Sequence, residues 1–472
     1  MSEMYERPRR RPRKKPDYKP LIAAMAVVLV ILSVVAVAIS VPGCSPRQDD
    51  SILQSSTTTT LLTTAPTTSS TTAPTTTTTT APTIPPVVKV STATIAATGD
   101  ILMHKPCINP GKQSDGSYDF ASYFANLKDY VSAADYAVAN LETTLAGLNN
   151  GYSYSGYPNF NCPDGIVTSL KAAGFDMLLT ANNHTYDTGT VGFFRTQQII
   201  AENGMDHIGT KPDAETESYK IVEINGIRIG MINYTYETNS DPDKVDLNGG
   251  ADLKENEKNL INVFLKDDVA GFKADLEGKL ADMCADGAEA IVLYIHWGEE
   301  YQTKHNSQQS KMAQVACDLG VDVIVGGHPH VIQPMELLES QNDPEHKTVV
   351  LYSTGNALSN QRLGNISYVK TAHTEDGILF SFSFAKYSDG TVRVENVELL
   401  PLWVNMYTSS ATGKVVYDIL PLDDQLEDWK TQFKLTDNSL TKAQDSYNRT
   451  MKIVGTGLQT VQDYLANLPP VE

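Results

Sequence analysis

Six polar clusters stand directly after apolar runs in this chain. They are Thr98-Gly99-Asp100, Asn140-Leu141-Glu142, Ala181-Asn182-Asn183-His184, His296-Trp297-Gly298-Glu299, Gly326-Gly327-His328-Pro329-His330 and Ser353-Thr354-Gly355-Asn356. Mixed carboxylate and imidazole donors suit divalent ions such as Zn, Mn or Fe and speak against copper–thiolate sites. In His328-Pro329-His330, two imidazoles at i and i+2 on a Gly-led turn can reach adjacent ions. A single Asp or Asn after a strand is most often a turn or helix cap, so the signal lies in the recurrence. His207, His305, His346 and His373 lie outside these clusters and read as surface or hydrogen-bonded histidines.

The apolar runs are the elements that must carry these groups. Thr92–Thr98, Tyr136–Asn140, Met177–Thr180, Ile291–Ile295, Val321–Val325 and Val349–Tyr352 read as buried strands. Between them, Phe120–Ser132, Asp164–Ala173, Gly189–Asn203 and Gln308–Leu319 carry helical patterns. Tyr219–Ile224 and Ile227–Tyr234 flank Asn225-Gly226, a hairpin signal, and two final strands surround Asp389-Gly390. Alternating units with hairpins predict an α/β sandwich, two mixed sheets between helices. Ligands in open α/β folds bind at the carboxyl ends of strands, where all six clusters lie.

Five parts are expected: a basic tail 1–20, an apolar anchor 21–43, a linker 44–87, the α/β domain 88–405 and a helical extension 406–472. The net charge of −19 excludes nucleic acid as the main partner, since phosphate binding needs a basic stripe. Residues 1–20 nevertheless hold eight Lys/Arg against Glu3, Glu6 and Asp17. Leu21–Val41 follows with 21 uncharged residues, about 30 Å as a helix and so the depth of a bilayer core. The basic flank keeps that end cytoplasmic and leaves the rest of the chain outside. Val41-Pro42-Gly43-Cys44 resembles a lipobox, so a lipoprotein held through Cys44 stands as the alternative to a single-pass anchor. The Thr/Ser/Pro-rich stretch 55–85 cannot bury apolar surface against its ordering entropy and reads as a disordered stalk.

Taken in order, GD, NLE, ANNH, HWGEEY, GGHPHVIQP and STGN resemble the poly-γ-glutamate capsule biosynthesis family known as CapA, itself similar to the calcineurin-like metallophosphatases. The resemblance covers about Thr94 to Trp403 and implies a four-layer α-β-β-α sandwich holding one or two divalent metals. It implies Asp100 on one ion, Glu142 bridging, Asn183 and His296 on the second, and His328 and His330 divided between them. His184 matches the family's acid/base position, with Asp187 placed to orient it. Trp297, Glu299 and Tyr301, with Asn356, are expected to line the substrate groove. The wider superfamily carries a His where this chain has Leu102, and His104 lies two residues further on.

The function so implied is a membrane-anchored extracellular protein of capsule or poly-γ-glutamate biosynthesis, acting as a metal-dependent hydrolase or transferase. The alternative is a non-catalytic polymer-binding or scaffold subunit. Its expected partners are the membrane, an anionic cell-surface polymer and the subunits of a capsule synthesis or export assembly. An acidic ectodomain repels such a polymer unless metals or a local basic patch offset the field. With Cys44 set aside, Cys107, Cys162, Cys284 and Cys317 allow three pairings. If the family fold holds, Cys107 and Cys162 meet at the cleft rim and form the bridge.

Overall fold

The computed structural model describes residues 86–149, 151–238, 244–367, 369–425 and 428–469. The basic tail, the apolar segment, Cys44 and the linker up to residue 85 lie outside those residues, and so do the expectations of an anchor, a lipid site and a stalk. Among the described residues no helix is long and apolar enough to cross a membrane.

Strands β1 (Lys89–Ile101), β2 (Tyr136–Leu141), β3 (Met177–Leu179) and β4 (Asp206–Ile208) run parallel as neighbours. β5 (Tyr219–Ile224) and β6 (Ile227–Glu237) form the hairpin that Asn225-Gly226 predicts, with φ of 52° and 79° at the two turn residues. β7 (Asp246–Leu247) and β8 (Ala251–Asp252) make a small hairpin of their own. Then come β9 (Val263–Leu265), β10 (Ala290–His296), β11 (Val323–Gly327), β12 (Ile332–Glu339) and β13 (Lys347–Thr354). The last strands are β14 (Asn356–Leu358), β15 (Asp376–Tyr387), β16 (Val392–Thr408) and β17 (Val415–Pro421). One sheet has the order β17-β16-β15-β1-β2-β3-β4, with β14 beside β1. The other has the order β12-β13-β11-β10-β6-β5, with β9 beside β6.

Side-chain alternation along the strands separates three cores. Ile95, Ala97 and Val138 of the first sheet share one apolar cluster with Met231, Val292, Tyr294 and Val323 of the second. Their neighbours Ala96, Ala137 and Ala139 face the other way, onto α1 (Gly165–Ala173) and α2 (Gly189–Glu202). Ile291, Leu293 and Ile295 likewise face α3 (Val269–Ala285) and α4 (Ser307–Asp318). Helices therefore cover the outer faces of two sheets that share an inner core. A capping box between Asn306 and Gln309 starts α4 directly after the His296 loop.

Three local expectations need correction. The segment 406–472 is not wholly helical: Val415–Pro421 pairs with β16 as an edge strand, and its Tyr417 and Ile419 enter the outer core. Its alternating apolar pattern suits a strand with one buried face. The long helix α5 starts only at Asp437, runs to Ala466, and sends Val454 and Val461 into the core between the sheets. The segment Phe120–Ser132 breaks into a 3₁₀ turn at Ala121–Phe124 and one helical turn at Lys128–Val131. Cys107 and Cys162 are free thiols, not a bridge. Both are fully buried, and the Cys162 sulfur turns to the Pro163 carbonyl oxygen at 3.5 Å.

Candidate metal centre and the neighbouring His184–Asp187 pair

Strand register sets the site. Asp100 on β1 lies opposite Asn140 on β2 and Asn356 on β14, while His296 ends β10 opposite Gly327 on β11. The backbones approach closely because two positions lack a side chain. A Cβ at Gly99 would stand 1.9 Å from the Gly355 carbonyl oxygen, and one at Gly327 would stand 3.0 Å from Asp100 Oδ1. His328 and His330 follow with φ of 94° and 56°. Left-handed backbone is costly for histidine, and strain of this kind gathers at functional sites.

These elements bring Asp100, Glu142, Asn183, His296, His328 and His330 together. The donor atoms of Glu142, His296 and His328 lie within 4.8 Å of one another, as do those of Asp100, Glu142 and His330. Glu142 belongs to both groups. Its two carboxylate oxygens are fully buried and accept no hydrogen bond among the described residues, and His328 Nδ1 is likewise unpartnered. Buried polar atoms without partners are costly, and a cation between them removes that cost. The donor set thus fits one or two divalent ions. Asn183 Oδ1 accepts from His296 Nε2 at 2.8 Å, which puts the amide beside the second group.

Charge is balanced tightly here. Burial alone would raise the pKa of Asp100, but His330, His296 and the Asn140 amide hold it below the usual carboxylate range. Asn140 Nδ2 donates to Asp100 Oδ1 at 2.7 Å. Burial opposes the charged form of His330 as well, yet Glu142 and Asp100 keep its pKa up at about 9. His328 goes the other way, pushed down first by burial and then by its histidine neighbours. Burial thus favours the neutral form of His328, while two carboxylates favour positive charge at His330, a place a metal ion can take.

Beside this centre His184 and Asp187 form a pair. His184 Nδ1 lies 2.7 Å from Asp187 Oδ2, which also accepts from the Phe160 backbone N–H at 2.6 Å. A carboxylate only accepts, so Nδ1 carries the hydrogen and Nε2 is left for proton exchange. Phe160 stands edge-on to the ring, with centroids 4.7 Å apart.

The expected groove residues divide. Tyr301 stays close, its ring 6.2 Å from that of His330 and its hydroxyl accepting from Gln361 Nε2 at 3.1 Å. Glu299 is exposed and pairs with Lys266 at 2.9 Å. Trp297 does not line a groove. It is buried on the opposite face of β10's end, stacks on Tyr352 and donates to the Tyr352 carbonyl oxygen at 2.9 Å. Asn356 is also closed to a ligand: its amide donates to His330, Gln361 and Thr374, and its oxygen faces His330 Nδ1 at 3.2 Å. His104 belongs to neither metal group. It packs edge-on against Phe160, and burial pushes its pKa down to about 4.

Three residues were missed by sequence reasoning. Asn140 orients Asp100 and stands inside a cluster read for its glutamate alone. Tyr236 lies parallel to His296 with centroids 6.5 Å apart, and 4.8 Å from His328, but is the penultimate residue of β6, beyond the run read as a strand. Asn248 contacts Asp187 from a Leu-Asn-Gly-Gly stretch that signals only a turn.

A model of the family described as "Bacterial capsule synthesis protein PGA_cap" matches residues 94–361. "Capsule biosynthesis protein CapA" of Bacillus anthracis is 26% identical over 278 residues, which are 57% of this chain and 60% of that one. "PGA biosynthesis protein CapA" of Bacillus subtilis strain 168 is 26% identical over 303 residues, 64% of this chain and 70% of that one. The match thus spans less than two thirds of the first relative. Among solved structures, a 5′-nucleotidase candidate from Staphylococcus aureus in complex with alpha-ketoglutarate is 13% identical with a TM-score of 0.39, covering 76% of this chain and 58% of that one.

Proposed function

Since the chain belongs to the bacterial capsule synthesis protein PGA_cap family, we propose that it serves capsule or poly-γ-glutamate biosynthesis as a divalent-metal-dependent hydrolase or transferase. The observation that carries this reading is Glu142, a fully buried carboxylate shared by two donor groups with neither oxygen hydrogen-bonded among the described residues. Asp100 and His330 would hold an ion on one side of it, and Asn183, His296 and His328 on the other. When bound, a divalent ion supplies Lewis-acid polarisation and a water acidified toward neutral pH. Two sheets between helical layers support assigning the sandwich to the metallophosphatase type.

The remaining steps belong to the chain's own groups. His184 moves a proton at Nε2, giving it to a leaving group, while Asp187 fixes the ring through Nδ1. Tyr301 and Glu299 border the approach to His330 and His328 and orient the substrate. The apolar segment 21–43 would anchor the chain to the cell membrane with its domain outside, or Cys44 would do so through a lipid. A capsule polymer and the subunits that make or export it are the proposed partners, with no part for nucleic acid.

Metal content measured by inductively coupled plasma mass spectrometry, together with a screen of phosphodiester and γ-glutamyl compounds, tests the reading. Stoichiometric Mn, Fe or Zn with turnover of either class supports it. Metal without turnover of any compound turns it toward the second reading, a polymer-binding or scaffold subunit. That second reading is favoured by Leu102, which is buried and supplies no ligand at the first strand, and by His104, which joins neither donor group.

A further inference from the structure

Asp187 is held on both oxygens. Oδ2 takes His184 Nδ1 and the Phe160 N–H, and Oδ1 accepts from Asn248 Nδ2 at 2.9 Å. Among the described residues Oδ1 has no other donor. The Asn248 amide gives its second hydrogen to the Pro158 carbonyl oxygen, also at 2.9 Å. Its two hydrogens are thereby used, one on each segment, and the same nitrogen stands 3.3 Å from His184 Nδ1, which carries its own hydrogen and so does not accept from it.

Asn248 sits at the turn of the β7–β8 hairpin, 61 residues downstream of Asp187. Its φ is 51°, left-handed backbone that Asn tolerates better than most residues, and Gly249 and Gly250 follow. One side chain therefore ties together the hairpin, the 184–187 turn and the loop carrying Pro158 and Phe160. That loop has a second hold on the turn, because Asn159 Nδ2 donates to the Asp187 carbonyl oxygen at 3.1 Å.

We propose that Asn248 is a positioning residue for the His184–Asp187 pair, an inference that rests on the acid/base reading of that pair given above. By fixing Oδ1 it sets the plane of the Asp187 carboxylate, and so the direction in which Oδ2 receives His184 Nδ1. Through Pro158 it also fixes the loop whose Phe160 ring flanks His184. Loss of the amide leaves the Asp187 carboxylate held at Oδ2 alone, so that its plane can tilt about the Cβ–Cγ bond, and leaves the loop with fewer holds on the turn. A displacement of about 1 Å at a reacting group lowers turnover by about 10²-fold.

Two variants of the full chain test this. Asn248→Gly keeps the left-handed backbone and deletes the amide. Asn248→Asp keeps the shape but sets an oxygen in place of a donor against Asp187 Oδ1. Three quantities are read: hydrogen exchange of the peptide carrying Phe160, metal content, and manganese-supported hydrolysis of bis(4-nitrophenyl) phosphate. Phe160 exchange is expected to quicken about tenfold in Asn248→Gly, with β1 exchange and metal content unchanged. Turnover should fall about ten- to a hundredfold with KM within about twofold, and Asn248→Asp should fare worse than Asn248→Gly. Wild-type exchange and turnover in both variants, or an Asn248→Asp protein as good as wild type, would overturn the proposal, since a mere space-filler loses nothing in that exchange. If the wild-type chain hydrolyses no probe, or His184→Asn hydrolyses it equally well, the acid/base reading fails instead. Phe160 exchange then still decides whether Asn248 holds Asp187.

Discussion

Arg449 reaches from α5 to grip both carboxylate oxygens of Asp376, with Nε 2.9 Å from Oδ2 and Nη2 2.7 Å from Oδ1. Ser446, one turn earlier on the same helix, donates to Oδ1 at 2.6 Å. Asp376 begins β15, and its backbone oxygen would lie 2.6 Å from a Cβ at Gly355, in the turn that delivers Asn356 to His330. The C-terminal helix is thus joined to the candidate metal centre by three short steps.

Arg449→Met should leave Asp376 buried with its charge unpaired and lower stability by about 3 kcal/mol, the low end for breaking a buried pair because the Arg449 side chain is 25% exposed. Urea denaturation measures the loss. Adding Asp376→Asn should recover part of it, and a double variant no more stable than the single one would contradict the account.

Glu142→Gln should abolish binding at both donor groups, because Glu142 is common to them. Metal content falls toward zero, while the metal-free protein melts no lower than wild type, the buried charge having been removed. Retention of one full equivalent of metal would show that the two groups do not depend on Glu142.

His184→Asn and Asp187→Asn should each keep their metal while losing activity, by about 10²–10⁴-fold for His184. Parallel loss of metal and activity in His184→Asn would make His184 a ligand. Steady-state kinetics alongside metal analysis separates the two outcomes.

His207 gives a pH prediction away from the candidate metal centre. Burial first, and then the Lys220 cation, push its pKa down to about 4 against the opposing pull of Asp206. Its folded pKa lies below the unfolded value of about 6.5, so its contribution to stability is present above pH 6.5 and is lost as the pH falls toward 4. His207→Gln should make the stability-versus-pH curve shallower in that window. Curves with equal slopes for variant and wild type would refute the assignment.

That these donor groups cluster was legible because a parallel strand buried on both faces is a continuous apolar run, and its first polar residues fall where the cleft opens. Asp100, Glu142, His296 and His328 all follow that rule. Trp297 and Asn356 show its limit, since position at a strand end does not say which way a side chain points. With His296 aimed into the cleft, strand alternation sends Trp297 to the opposite face, onto Tyr352. Cysteine proximity suffers the same ambiguity: Cys107 and Cys162 are neighbours in the outer core, yet the Cys162 sulfur turns to a backbone oxygen. Asn248 was beyond reach for another reason, because its partners lie 61 and 90 residues away and depend on how a loop and a hairpin fold over the sandwich.

The long first strand also has a mechanical meaning. Lys89 and Asp100 stand at opposite ends of β1, about 36 Å apart at 3.3 Å per residue. Tension arriving from the amino-terminal side would act at the end remote from the metal centre and run along the strand axis. β1 is flanked by β15 from Lys89 to Thr98 and by β2 from Ile95 to Ile101. The β15 bonds stand perpendicular to such a pull and the β2 bonds slant across it, so both rows are loaded together in shear. The strand that brings Asp100 to the cleft therefore meets such a pull with partners on both edges.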